Sequence, residues 1–118
     1  MKRGDVVLVS GKGDYGKSRP AIVVQADYLV DGLDSLTVCP LTSDILNREF
    51  IRVAVEPTPE NGLKLPSDMM VDKIQTYPKS KVFGPIGRLI EVDMLRLDAA
   101  LVFFFQLSPG TLATLADN

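Results

Sequence analysis

The 118-residue sequence predicts a small, strongly curved β-barrel carrying a C-terminal helix, a mainly β fold. Three observations point there. Short runs rich in Val, Ile and Leu alternate with Gly- and Pro-containing segments up to about residue 90, and a helical apolar period emerges only after Glu91. Apolar residues make up 46% of the chain and its charges are mixed, which suffices for one core without disulfide staples.

The β-branched runs 5–10 and 21–25 flank a Gly-rich stretch from Gly11 to Ser18 and read as a hairpin with a long loop. A third short run spans 35–40. The stretch 49–55 alternates, with Phe50, Val53 and Val55 among polar neighbours, and supplies a fourth strand; 41–48 between them reads as a loop or a single helical turn. Pro57, Pro59, Gly62 and Pro66 make 56–68 an irregular surface connection. A strand resumes over 69–76, and the prolines and glycines of 78–87 leave room only for a short edge strand. The helix over 91–106 aligns Met94, Leu97, Leu101 and Phe104 on one stripe with Arg96 and Asp98 off it, and Pro109–Gly110 ends it. Val102, Phe103, Phe104 and Phe105 exceed what one face buries against a small barrel, so a second subunit is expected there. Residues 1–110 form one expected domain and 111–118 a frayed tail.

Composition narrows the chemistry. The only cysteine, Cys39, sits in the apolar run 36–41, so no intrachain disulfide forms and core packing in a reducing compartment is expected. The opening MKRGDVVLVS is too briefly apolar for a signal peptide, and the apolar window 99–107 is about half of a membrane span. A cytoplasmic protein without a membrane partner is expected. A net charge of −2 argues against nucleic-acid binding by overall charge. The cations are unevenly placed, however. Lys2, Arg3, Lys12, Lys17 and Arg19 face only Asp5 and Asp14 near the start, and Lys73, Lys79, Lys81 and Arg88 precede the next acid, Glu91. Taken singly these are solvated loop charges; taken together they can form one basic surface.

Residues 11–18, Gly-Lys-Gly-Asp-Tyr-Gly-Lys-Ser, satisfy the G-x-x-x-x-G-K-S spacing of a nucleotide-binding P-loop. Such a loop must open a helix whose amides face phosphate, whereas Arg19, Pro20 and a strand-like Ala-Ile-Val-Val follow here. The segment is then either a plain hairpin loop or one that presents Lys12, Tyr15 and Lys17 to a polyanion. The chain has no histidine, which removes Ser-His-Asp triads, Cys-His pairs and His-ligated metals. The carboxylates lack metal-ligand spacing, so neither metal nor cofactor is expected, and any catalysis runs on Arg, Lys, hydroxyls or carboxylates.

Between about Arg3 and Leu107 the sequence resembles the MazF/PemK/Kid ribonuclease toxins. The resemblance is carried by Arg3-Gly4-Asp5 before a strand, Ser18-Arg19-Pro20-Ala21-Ile22-Val23-Val24 and Pro40-Leu41-Thr42-Ser43. Further on it continues through Gly62-Leu63-Lys64-Leu65-Pro66-Ser67, Val71-Asp72-Lys73-Ile74-Gln75-Thr76, Gly87-Arg88-Leu89 and the leucine-rich last helix. It implies an SH3-like barrel that forms a homodimer, is neutralised by a cognate antitoxin, and cuts single-stranded mRNA without a metal. The ribose 2′-hydroxyl attacks, leaving a 2′,3′-cyclic phosphate and a 5′-hydroxyl.

By that resemblance Arg19 is the catalytic arginine, stabilising charge on the pentavalent phosphorane, with protonation of the leaving oxygen as a further role. Thr42 is the catalytic hydroxyl that holds a phosphate oxygen; the plainer role for Thr42 and Ser43 is to cap a turn of helix. RNA contacts fall to Lys12, Tyr15, Lys17, Ser43, Asp72, Lys73 and Gln75, with Asp72 orienting Arg19 or a base edge. Lys73 stands where many members carry Gln, and Gln75 and Thr76 near where others carry Arg and Thr, so the recognised sequence stays open. Met70 stands where the Kid branch has an arginine, which favours the MazF-type Arg-Thr arrangement. Two rivals remain: a non-catalytic poison on the same fold, like the CcdB gyrase inhibitors, and a P-loop nucleotide binder.

Overall fold

Strand β1 (Asp5–Ser10) buries Val6, Val7 and Val9 in a computed structural model that describes residues 1–10, 17–48, 50–108 and 112–116. Successive strand residues point to opposite faces, so Val6 enters one apolar cluster and Val7 and Val9 another. Strand β2 (Ser18–Val23) splits the same way, with Ile22 joining Val6 while Ala21 and Val23 join Val7. Strand β3 (Ser35–Thr42) gives Cys39 and Leu41 to the first cluster and Leu36 and Val38 to the second. The central strands are therefore covered on both sides.

Strands β4 (Arg52–Val55), β5 (Ser67–Met70), β6 (Gln75–Pro78) and β7 (Val82–Arg88) complete a seven-stranded antiparallel sheet. Its order is β4-β5-β3-β2-β1-β7, with β6 pairing the first half of β3. The long helix is α2 (Glu91–Phe105), which lays Leu97 and Ala100, flanked by Met94 and Leu101, on the first cluster. A short helix, α1 (Asp27–Gly32), covers the second cluster with Val30. The predicted mainly β fold with a C-terminal helix is what forms; among the described residues no ladder joins β4 to β7, so the sheet curls barrel-like without closing. No helix among the described residues is long and apolar enough to cross a membrane.

Several elements depart from the sequence reading for local reasons. Strand β2 begins at Ser18 rather than residue 21, because Arg19 and Pro20 already pair with Val9 and Leu8 of β1. Pro20 is tolerated there because the ladder with β3 reaches only to Ala21 opposite Pro40. The strand expected from residue 49 starts at Arg52, since Asn47 (φ 53°) and Phe50 (φ 72°) take left-handed backbone that ends extended structure. Phe50 is consequently exposed rather than inward-facing. The single strand expected over 69–76 is broken by a 3-10 turn, Val71–Lys73. Strand β5 pairs the end of β3 (Leu41 opposite Met69) and β6 its beginning (Val38 opposite Gln75), and the turn spans the step between them at Cys39 and Pro40.

The last strand, β7, lies at the sheet edge as expected but is seven residues long. Its register to β1 slips between Val6 and Leu8, which absorbs a cis Gly84–Pro85 peptide. Helix α2 stops at Phe105, where Gln106 (φ 54°) forms a left-handed cap and the Gln106 and Leu107 amides bond back to Phe103 and Val102. Pro109 and Gly110, expected to end it, lie outside the described residues. Phe104, expected on the inward stripe, is exposed. Residues Leu112–Ala116 form a short helix, α3, where a frayed tail was expected.

Candidate functional site

Two adjacent strand ends bring Arg19 and Thr42 together. Arg19 lies in β2 opposite Val9 of β1. The β2–β3 register sets Val23 opposite Val38 and Ala21 opposite Pro40; carried two residues further, it sets Arg19 opposite Thr42, the last residue of β3. On its other side Thr42 pairs with Asp68 of β5. The Thr42 hydroxyl oxygen accepts the Asp44 N–H at 3.1 Å, which turns the chain out of the sheet. No helix follows, so the expected helix cap at Thr42 and Ser43 is instead a side-chain-closed turn. As an acceptor in that bond, the hydroxyl keeps its own proton to donate.

Arg19, Thr42 and Ser43 line one rim of a cleft of about 570 Å³, a size typical of ligand sites. Its floor is apolar, formed by Leu8, Pro20, Leu41 and Leu63. A second wall belongs to the irregular segment before β5, through Gly62, Lys64 and Leu65, and to Ile86 of β7. Among the described residues, two cations, Arg19 and Lys64, and no carboxylate line the cleft. The other two clefts described differ in this respect: Asp68 lies in one with Arg52 and Arg96, and Asp98 in the other, bound to Arg3 at 2.6 Å.

The far wall is held by Asn61, which is fully buried. Its Oδ1 accepts the Thr58 and Leu63 amides at 3.1 and 2.9 Å, and its Nδ2 donates to the Glu56 carbonyl at 2.9 Å. The knot is pressed onto β7, where the Arg88 amide donates to the Glu60 carbonyl at 2.7 Å. Only glycine allows that approach, since a Cβ at Gly87 would lie 2.4 Å from the Asn61 carbonyl. The proline- and glycine-rich stretch that sequence reading left as a plain surface connection is thus a braced wall. Asn61 and Lys64 are its contribution to the site; the alternation used to find strands and helices carries no signal for either.

The remaining expected site residues scatter. Lys17 is exposed at the mouth of β2, and Lys12 and Tyr15 lie outside the described residues. Ser18 enters β2 directly, so the P-loop match lacks the helix that would bind phosphate. Asp72, expected to orient Arg19 or a base edge, is gripped by Arg52 of β4 through two hydrogen bonds, Nε to Oδ1 at 2.8 Å and Nη2 to Oδ2 at 3.1 Å. That bond holds the Asp72 carboxyl below its usual range and pushes the Arg52 guanidinium higher still. Lys73 and Gln75 are exposed beside Asp72, and the Gln75 side chain accepts the Tyr77 hydroxyl at 2.6 Å; neither lines the Arg19 cleft. Nor do the basic stretches merge freely, because Arg3 pairs with Asp98 and Arg88 with Asp5. Cys39 is a buried core thiol, as expected.

Sequence and fold are similar to those of known toxins. The family model described as PemK-like, MazF-like toxin of type II toxin-antitoxin system matches residues 2–105. A Mycolicibacterium smegmatis protein described as probable endoribonuclease MazF is 39% identical over 109 residues, 92% of this chain and 99% of that one. Endoribonuclease MazF9 of Mycobacterium tuberculosis is 28% identical over 116 residues, 91% of this chain and 98% of its own length. Among solved structures, Mycobacterium tuberculosis toxin MazF-mt6 superposes with a TM-score of 0.75 at 25% identity, covering 88% of this chain and 98% of its own. A MazE-MazF complex from Deinococcus radiodurans superposes at 0.72 with 16% identity, over 92% of this chain and 97% of the matched chain, and shares the fold. Architecture and sequence agree, and the chain belongs to the PemK-like, MazF-like toxin family of type II toxin–antitoxin systems.

Proposed function

We propose that this toxin is a metal-independent endoribonuclease that cuts single-stranded mRNA by attack of a ribose 2′-hydroxyl on the adjacent phosphorus. The observation that carries the reading is the meeting of Arg19 and Thr42 on one cleft rim, in a chain with no histidine. In this reaction the 2′-oxygen loses its proton and bonds to phosphorus, the bond to the 5′-oxygen breaks, and that oxygen takes up a proton. The products are a 2′,3′-cyclic phosphate and a 5′-hydroxyl. The protein's task is to hold the phosphate in line and offset charge on the phosphorane. The permanently charged Arg19 suits the second role, and the Thr42 hydroxyl proton suits the first. The cleft's low-dielectric floor strengthens both interactions.

The family description implies a cognate antitoxin, and an acidic or amphipathic segment of it would complement the cationic cleft. The C-terminal end of α2 exposes Val102, Phe103, Phe104 and Phe105, which supports a homodimer; sedimentation as a monomer at micromolar concentration would refute that part.

The test is incubation with EDTA of a defined single-stranded RNA and its 2′-deoxy counterpart, with fragments identified by mass. Cleavage of the RNA alone to cyclic-phosphate ends, lost in Arg19→Ala, is expected. Equal cutting by Arg19→Ala defeats the assignment. Intact RNAs of several unrelated sequences, with toxicity surviving Arg19→Ala, would favour a poison of the gyrase-inhibitor type.

A further inference from the structure

We infer that Asp68 is a positioning residue for the Thr42 hydroxyl: its buried carboxylate accepts the Leu46 amide and so pins the loop that leaves the sheet at Thr42. The inference rests on the ribonuclease reading, in which that hydroxyl holds the phosphate, and adds the residue that keeps it aimed.

Asp68 of β5 stands directly opposite Thr42 of β3 and Ala54 of β4, so the three side chains rise from one face of the sheet. The chain leaves the sheet at Thr42, and two hydrogen bonds shape its path. Thr42 Oγ1 accepts the Asp44 amide at 3.1 Å, and Asp68 Oδ2 accepts the Leu46 amide at 3.0 Å. The loop is thus tied down to the side chain of Thr42's own ladder partner. Ladder, loop and carboxylate close a ring that holds Thr42 and Ser43, both of which line the cleft. Asp68 itself is 1% exposed and lines the neighbouring cleft with Arg52 and Arg96, so it reaches substrate only through what it holds. A buried carboxylate is costly in a strand that an apolar β-former would suit. The charge-assisted bond to Leu46 and the nearby Arg52 guanidinium offset that cost; Arg52 is pushed up first by its bond to Asp72 and then by Asp68 and Asp44. Without the anchor the Asp44 amide drifts, and the Thr42 side chain regains staggered rotamers that carry its hydroxyl away from the phosphate. A misplacement of about 1 Å costs up to about a hundredfold in rate. The loss falls on the aim of one hydroxyl, and therefore on kcat rather than KM.

The test compares wild type, Asp68→Val and Asp68→Asn on a single-stranded RNA that wild type cuts, with amide hydrogen exchange followed by NMR in each protein. Valine favours strands and is close in size, so the sheet should hold, while asparagine keeps a carbonyl oxygen for the Leu46 amide. In Asp68→Val the Leu46 amide should exchange faster while the amides of β3 and β5 keep their protection. Its kcat should fall about tenfold or more, with KM within about twofold of wild type. Asp68→Asn should restore both the protection and the rate. A cycle with Thr42→Val isolates the route of action. In that background, where the hydroxyl is gone, Asp68→Val should cost less than about twofold more, whereas independent effects would multiply. An unchanged kcat in Asp68→Val, losses that multiply in the double variant, protection lost across β3 and β5, or a failure of asparagine to restore the rate overturns the inference while RNA cleavage by wild type stands. Wild-type protein that leaves RNAs of several unrelated sequences intact overturns the ribonuclease reading itself, and the positioning role with it.

Discussion

Asn61→Ala removes a side chain that touches no substrate, yet it should cost the protein about 3 kcal/mol. The side chain is fully buried and satisfies three backbone groups: the Thr58 and Leu63 amides through Oδ1 and the Glu56 carbonyl through Nδ2. Each buried polar group left without a partner costs about 1–3 kcal/mol, so three give about 3–9 kcal/mol if none finds water. Glu56 is exposed and Thr58 and Leu63 are half-buried, so water reaches them at modest distortion and the low end applies. A domain of ordinary stability survives such a loss only narrowly. Equilibrium urea unfolding followed by circular dichroism should show the midpoint lowered by about 2 M with an unchanged slope.

Asn61→Asp separates lost contacts from simple loss of volume. It keeps both acceptor bonds but sets a charged oxygen against the Glu56 carbonyl. Burial raises that carboxyl's folded pKa above the unfolded value of about 3.9, so this variant should gain stability as pH falls and the protonated acid donates to Glu56. A loss below 1 kcal/mol for Asn61→Ala, or an Asn61→Asp protein indifferent to pH, would refute the idea that hydrogen bonding at Asn61 braces the wall.

Other perturbations test neighbouring parts of the argument. Gly87→Ala places a methyl 2.4 Å from the Asn61 carbonyl and 2.7 Å from the Glu60 oxygen, both backbone, and should cost about 2 kcal/mol or more in the same unfolding assay. Asp72 has a depressed folded pKa, so its contribution is complete above about pH 4 and lost as pH falls through the folded value. Arg52→Met should therefore be less stable at neutral pH and flatter below about pH 4 than wild type; parallel acid limbs would contradict the pairing. Burial, aided by Asp72, pushes the Cys39 thiol up to about 12, so alkylation at pH 8 should require urea. Rapid labelling of the native protein would show the core opens far more readily than its packing implies.

The parts of this fold legible in the sequence are those where period and burial coincide. Strand β1 has the expected bounds because its valines serve clusters on both faces, and α2 is found within a residue because Met94, Leu97 and Leu101 repeat on one side. Helix α1 was missed because its six residues bury only Val30, too little for any period to register. The strand expected over 69–76 divided because β-propensity says nothing about which half of β3 a residue will meet. Phe50 misled for a related reason: alternation implied an inward ring, whereas a left-handed backbone turns it outward to meet Phe103, ring centroids 4.9 Å apart.

At the site the division is chemical. Arg19 and Thr42 were singled out through motif resemblance, and their meeting follows from the β2–β3 register, which, carried two residues beyond Ala21 opposite Pro40, sets one opposite the other. Asp72 was legible as a polar position but not as a partner, because short-range pattern cannot show that Arg52 in another strand takes both its oxygens. The pairing fixes where Asp72 acts: Arg52 takes both its oxygens, and Asp72 is not among the residues that line the Arg19 cleft. Asp72 therefore contributes to the stability of the β4 edge, and chemistry proposed at the cleft rests on other residues.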